Sequence, residues 1–472
     1  MAQAFRRKRW RQEQRLRVDV NGMMAPFVGA AGLADEEVAL LAPRLVDMME
    51  SVERRRRASS MALPHLAFER NASGRVRRVA EQLRGRFDDL VVLAVGGSGL
   101  GARALWSALG PASGPSPMRV QFADTIDPSA FTAVLEALDL RRTVFDVVSR
   151  WGDTAETMSQ FLIVRERLLK ELGAVEYRQH FVVTTDPEHG TLRQVVNDEG
   201  FRSLSWPAGL SGQLATLSPV GLFPLACAGT DVAEILAGAA DMEERCRTTE
   251  PATNPALVLA GALHLAAELR QCRSVVVVPC AERLTGLADW ACQLWSDVLG
   301  APGAGPETAT EAATVPMRSV GPVQRHAHGR LLTEDPSDQV IVFLRLEEHA
   351  HDVVVPEAYA DLETLCYLGG HRLGELVNLE QQAVELALAA AGRLAVTVTC
   401  PSASPFGVGQ LVYLLELIAV TVAGLRGARP WDEAGAENRL SLLDALAGRP
   451  GYEGRRADAQ RWIARREERY VV

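Results

Sequence analysis

The sequence predicts an α/β protein built on two doubly wound parallel sheets, with helical extensions at both ends. Three observations carry that expectation. From about residue 86, short apolar runs alternate with stretches of helical spacing. The alternation restarts after a polar, proline-bearing joint, CRTTEPATNPAL. Two of the strand-to-helix turns carry the glycines and hydroxyls that suit an anion. With 472 residues and 47% hydrophobic composition, the chain is long enough to bury two or three cores.

In the first half, LVVLAV (90–95), VQFAD (120–124), VFDVVS (144–149), HFVVTT (180–185) and FRSLSW (201–206) read as strands. Such apolar runs suit strands covered on both faces, and residues 154–172 and 190–197 between them have helical spacing. The second half repeats the pattern with SVVVVPC (274–280), VIVFLRL (340–346) and LAVTVTC (394–400), separated by helical segments at 284–298 and 373–391. The expected division is a helical N-terminal extension over 1–80, α/β domains over 81–245 and 246–428, and a helical arm over 429–472. An Ala/Gly/Pro/Thr-rich stretch, GAPGAGPETATEAATVP, reads as a loop.

Composition narrows the function classes. Charged residues make up 23% and the net charge is −9, which argues against nucleic acid as a default partner and for anion sites formed locally. Seven cysteines, scattered and never in a CxxC pair, fit buried thiols in a reducing compartment, so the expected location is the cytoplasm. The basic N-terminus lacks the apolar segment of a secretory signal. The longest apolar run, 408–425, contains Gln410 and Glu416 and reads as a core helix, so no membrane partner is expected. The arginine runs RRKRWRQEQRLR and ERRRRASS read as solvated helix faces rather than partner-binding arms.

Two turns carry the candidate chemistry. In AVGGSGLG (94–101), Gly96 and Gly97 allow a tight turn and close backbone approach, while Ser98 and the first helix N–H groups can hold an anion or a sugar hydroxyl. In VVSRWGDTAET (147–157), Ser149, Thr154 and Thr157 flank a second such turn. The segment EEHAHD (347–352) mixes carboxylates and imidazoles but reads as an exposed loop rather than a metal site. The pair His326 and His328 is a weak metal candidate on the same grounds.

Together with SGQLATLSPVGLFP (211–224), GLADWACQLWSDVLG (286–300), GPVQRHAHGRLL (321–332), LGELVNLEQQAVELAL (373–388) and RPWDEAGAENRL (429–440), these turns form an ordered series. From about residue 85 to 450 it resembles the phosphoglucose isomerase family in its shorter bacterial form. The resemblance implies two sugar-isomerase (SIS) domains and a homodimer with its active site at the domain and subunit junction. It also implies interconversion of glucose 6-phosphate and fructose 6-phosphate through an enediolate, with no metal or other cofactor.

Carried over residue by residue, the resemblance makes Asp297 the base where the family has glutamate. It makes His326 the ring-opening acid/base, lent across the dimer, and places Gln213 where an arginine would stabilise the enediolate. Glu156 belongs to the proton-transfer set. Gly97, Ser98, Ser149, Thr154 and Thr157 would surround the sugar phosphate. Leu440 stands where the family signature ends in lysine, with Arg439 one residue, about 100° of helix, away. Trp151 and Asp153 replace small hydroxyl residues of the phosphate turn; Asp153 would repel the phosphate, or point to solvent and cap the following helix. These substitutions make a weakened or retuned isomerase the first expectation. The alternatives are a non-catalytic sugar-phosphate-binding or regulatory homologue, and an isomerase of a non-phosphorylated or amino sugar.

Overall fold

The computed structural model describes residues 4–58, 61–111, 116–299, 315–318, 338–428 and 437–471, and these contain two five-stranded sheets. The first has the order β3-β2-β4-β5-β6, every neighbouring pair parallel, from β2 (Asp89–Leu93), β3 (Arg119–Ala123), β4 (Thr143–Val148), β5 (Phe181–Thr185) and β6 (Arg202–Ser205). Every residue of β2, β4 and β5 is buried. That is why these stretches read as continuous apolar runs: a central parallel strand has helices on both faces and no wet side.

The second sheet has the order β1-β10-β9-β7-β8, from β1 (Arg17–Asp19), β7 (Ser274–Pro279), β8 (Val315–Arg318), β9 (Gln339–Leu346) and β10 (Leu394–Cys400). Its two edges correct the sequence reading. The N-terminal extension is not wholly helical: Arg17, Val18 and Asp19 pair antiparallel with Thr399, Val398 and Thr397 of β10. A three-residue edge strand with charged ends carries no alternation to detect. At the other edge, β8 closes the Ala/Gly/Pro/Thr-rich stretch, and its Pro316 is tolerated because an edge strand needs no donor on its open side.

The helices around these sheets include α1 (Asp35–Arg57), α2 (Gly97–Leu109), α3 (Ala155–Glu176), α4 (Val232–Arg245), α5 (Pro255–Arg270), α6 (Thr285–Leu299), α7 (Leu373–Ala390), α8 (Pro405–Leu425) and, in the C-terminal arm, α9 (Glu437–Ala447) and α10 (Glu453–Ile463). The run read as a core helix is α8, started by Ser404, whose Oγ accepts the Gly407 N–H at 3.1 Å, and buried from Phe406 to Ala423. It is long and apolar enough to cross a membrane, but it is covered by protein. Its polar side chains are placed accordingly. Gln410 accepts the Leu16 N–H at 3.2 Å and donates to the Gln14 carbonyl at 2.8 Å, which docks the segment leading into β1. Glu416 has both oxygens buried, and desolvation pushes its carboxyl well above the ordinary range.

One apolar cluster runs through both halves, joining Leu90 and Val92 of β2, Trp290 and Leu294 of α6, Val340 and Val342 of β9 and the body of α8. Helices α2 and α6 pack against each other within it: a side-chain carbon on Gly286 would lie 2.8 Å from Ser107 Cβ. This contact carries the glycine turn of the first sheet toward the carboxylate helix of the second half. Of the seven cysteines, Cys227, Cys246, Cys272, Cys280 and Cys400 are buried, Cys292 is half-buried and Cys366 is exposed.

Candidate active site

In the first sheet the chain leaves β2 for β3 on one side, and β4 lies on the other. Between the carboxyl ends of β2 and β4 is therefore a topological switch point, where open α/β sheets leave a crevice. The glycine turn follows β2 and the Ser149 turn follows β4, so both candidate turns open on that crevice. Hydrogen bonds hold them there. Thr157, fully buried in the first turn of α3, accepts the Val95 N–H on its Oγ1 at 3.1 Å, tying one turn to the other.

Gly96 begins the first turn with φ 89° and ψ −152°, a conformation that costs any residue with a side chain. Gly97 opens α2 for a different reason. A Cβ there would sit 2.3 Å from Cδ of Gln213, so the bare backbone lets the Gln213 side chain lie across the helix start. Ser98, half-buried, follows in the same turn, and its backbone nitrogen would be 2.9 Å from a Cβ on Gly212.

Gln213 is the centre of the arrangement. Its backbone carbonyl accepts the Thr216 hydroxyl at 3.0 Å and the Trp290 indole N–H at 3.2 Å, and its side-chain Nε2 donates to Oδ2 of Asp297. Trp290 and Asp297 are seven residues apart on α6, two turns of helix, so one face of α6 grips both ends of Gln213. Asp297 and Gln213, the positions matched to base and enediolate stabiliser, are thus in direct contact and half-buried.

At the second turn, Ser149 is buried at the end of β4, its Oγ 3.3 Å from Thr154 Oγ1 and accepting the Gly152 N–H at 3.1 Å. Thr154 is the N-cap of α3 but makes no side-chain cap, and Asp153, one residue earlier, is exposed. The capping role considered for Asp153 is therefore corrected: Thr154 occupies the N-cap, with its hydroxyl turned to Ser149. The Asp153 carboxylate is exposed and stands in the phosphate-type turn itself. Asp153 adds to the field that raises Arg449, after the ion pair of Arg449 with Asp444 at 2.7 Å, which places the segment between α9 and α10 near this turn. Glu156, half-buried in the first turn of α3, has Oε2 buried with no hydrogen-bond partner among the described residues.

Two contributors were not singled out from sequence. Arg150 stacks its guanidinium 4.6 Å from the Trp151 ring centre and donates from Nη1 to the Leu210 carbonyl at 3.4 Å, linking the phosphate-type turn to the segment before Gln213. Trp151 is thus paired with its neighbour's charge. The second contributor is Trp290, whose seven-residue spacing from Asp297 was visible in the sequence. His326 lies outside the described residues, as does His328. Arg439 and Leu440 stand side by side in α9. Among the described residues no group of three or more His, Cys, Asp or Glu could hold a metal, and that includes the EEHAHD segment.

Such an arrangement can do proton chemistry. A carboxylate is held by an amide whose second N–H is a further donor, and that amide lies against the helix start of the glycine turn that follows β2. Comparison with known proteins points the same way. A profile of the phosphoglucose isomerase family matches residues 69–446. The glucose-6-phosphate isomerase of Carboxydothermus hydrogenoformans is 31% identical over 468 residues, 97% of this chain and 99% of that protein. That of Rubrobacter xylanophilus is 38% identical over 383 residues, 79% and 86% of the two chains. Among solved structures, a Thermus thermophilus protein described as hypothetical superposes with TM-score 0.79 at 28% identity, covering 95% of this chain and 100% of its own. A glucose-6-phosphate isomerase from Chlamydia trachomatis, at TM-score 0.75 and 18% identity over 89% of each chain, shares the fold.

Proposed function

The chain belongs to the phosphoglucose isomerase family and is an aldose–ketose isomerase, and from that premise we propose that Asp297 is its proton-transfer base at the crevice between β2 and β4. The substrate pair is glucose 6-phosphate and fructose 6-phosphate. Asp297 takes the proton from C2 of the open-chain aldose, leaving an enediolate, and returns it to C1, while the hydroxyl proton on O2 is exchanged for one on O1. The observation that carries this reading is the bond from Gln213 Nε2 to Asp297 Oδ2. It fixes the shorter carboxylate in one orientation, and near-attack geometry tolerates little misplacement.

Gln213 donates a second N–H toward an enediolate oxygen. It brings no positive charge, so stabilisation of the anion is weaker than a guanidinium supplies, and the enzyme is retuned toward slower turnover. The phosphate is received by Ser149, Thr154 and the first N–H groups of α3, with Gly97 and Ser98 on the sugar side and Thr157 bracing the two turns. Glu156 completes the proton-transfer set.

The working unit is a homodimer in the cytoplasm, in which each copy lends His326 to the other's crevice to open the sugar ring. Support comes from the C-terminal arm, where Leu442, Leu446, Trp462 and Ile463 are exposed at 54%, 45%, 70% and 50%, an apolar surface that a second copy would cover. The non-catalytic reading has no such support, since the relatives that span nearly the whole chain are isomerases by name. The test is a coupled assay on fructose 6-phosphate with wild type and Asp297→Asn. Turnover that falls by two orders of magnitude or more in the variant is expected. Equal turnover in both proteins removes Asp297 from the reaction.

A further inference from the structure

Four strands of the second sheet, β8-β7-β9-β10, repeat the parallel order β3-β2-β4-β5 of the first, with the antiparallel β1 in the place of β6. β9 lies beside β7 as β4 lies beside β2, and each leads at its carboxyl end to a helix, α7 or α3. The cleft at the end of β9 is therefore the counterpart of the Ser149 turn; it has a volume of about 580 Å³ and is lined by Arg345, His349, Asp352, Arg372, Glu375 and Asn378 among others. Gly374 in the first turn of α7 makes room for it: a Cβ there would lie 2.7 Å from the His349 ring and 3.0 Å from Asp352 Oδ2.

Much of the acidic lining is already engaged. Glu347 pairs with Arg17 at 2.8 Å, Asp352 Oδ1 accepts the N–H groups of Val353 and Gly374 at 2.9 and 3.0 Å, and Glu375 meets His371 at 3.1 Å. Three other lining atoms, Arg345 Nε, His349 Nε2 and Asn378 Oδ1, are buried with no hydrogen-bond partner among the described residues. A buried polar group left unpaired has lost its water without a replacement, so a ligand that pairs these three atoms recovers that cost. From this convergence we propose that the β9 cleft is a second, non-catalytic site for a phosphorylated amino sugar.

The charges decide the ligand class. Arg345, His349 and Arg372 suit a phosphate, but even with Glu347 neutralised by Arg17, three carboxylates, Glu348, Asp352 and Glu375, outnumber the two guanidiniums in the lining, so a bare dianion is disfavoured. An ammonium on the same small frame answers that excess, and hydroxyls suit Asn378 Oδ1. The sugar phosphate part of this assignment rests on the reading of the first sheet's crevice; the presence of a second site does not.

The test is calorimetric titration of the full-length protein with glucosamine 6-phosphate, glucose 6-phosphate and inorganic phosphate, repeated on the His349→Ala/Arg372→Glu variant. Unchanged turnover of fructose 6-phosphate and an unchanged melting temperature show that this variant is folded. Relative to wild type it should lose one equivalent of glucosamine 6-phosphate per chain. At that site glucose 6-phosphate and inorganic phosphate should bind at least tenfold more weakly. An isotherm that the two substitutions leave unchanged overturns the site, and equal binding of glucose 6-phosphate or of phosphate alone overturns the amino-sugar assignment. An Asp297→Asn protein that retains turnover refutes the catalytic reading without altering the second isotherm, so the two failures are distinguishable.

Discussion

The contact between Gln213 and Asp297 lends itself to a double-mutant cycle. Gln213→Ala removes a neutral donor from a carboxylate acceptor, a bond of the charge-assisted kind that contributes about 1.5–3 kcal/mol. At about 1.36 kcal/mol per decade, kcat/KM should fall roughly tenfold to 150-fold. Asp297→Asn removes the base itself and should cost about 10² to 10⁴. If Gln213 acts chiefly by holding the carboxylate, the double variant should be little worse than Asp297→Asn, with a coupling of at least about 1 kcal/mol. Both side chains are half-buried and lie outside the main apolar cluster, so melting temperatures should move little. The readout is the initial rate of glucose 6-phosphate formation from fructose 6-phosphate, coupled to a dehydrogenase. Losses that add within about 0.5 kcal/mol would mean that the two groups act separately, and the positioning argument would fail.

Three other perturbations test the same contacts and the core beneath them. Gly97→Ala pushes a Cβ to within 2.3 Å of Gln213 Cδ; because the far end of a flexible side chain can swing away, the protein should stay folded but lose activity about as Gln213→Ala does, seen as a drop in kcat/KM without a large change in melting temperature. Asp153→Thr removes an exposed carboxylate from beside the phosphate turn; at about 1 kcal/mol of repulsion in water, KM for fructose 6-phosphate should fall about fivefold, and the gain should shrink as salt is added. Asp146, fully buried on β4 with Thr184 Oγ1 at 3.2 Å, has its carboxyl pushed up to about 8 by desolvation. The folded state then holds a proton that the unfolded chain releases near pH 4, so its contribution is complete below about pH 4 and is lost as pH rises toward about 8. Asp146→Asn should flatten that slope and raise the melting temperature at pH 8, and a steeper slope in the variant would contradict the assignment.

How much was legible depended on what each residue answers to. The central strands β2, β4, β5, β7, β9 and β10 were readable to within a residue or two, because burial on both faces demands unbroken apolar runs. β1 and β8 were not, because their place is set by the open edges of β10 and β7 rather than by any pattern of their own. In the same way, the glycine turn and the Ser149 turn were visible as strand-to-helix turns, whereas the stacking of Arg150 on Trp151 and the approach of Arg449 to Asp153 depend on segments brought together from elsewhere in the chain.

By itself, the sequence determined the α/β class, the two rounds of winding and the identity of the groups available for chemistry, since periodicity and turn composition are local properties. Tertiary structure decided which of those groups meet. Gln213 and Asp297 are 84 residues apart, and only the packing of α2 against α6, through glycines that leave room for it, joins amide to carboxylate. The β9 cleft has the same origin: His349 and the acid residues of EEHAHD become part of a lined cavity only because α7 returns over the end of the strand.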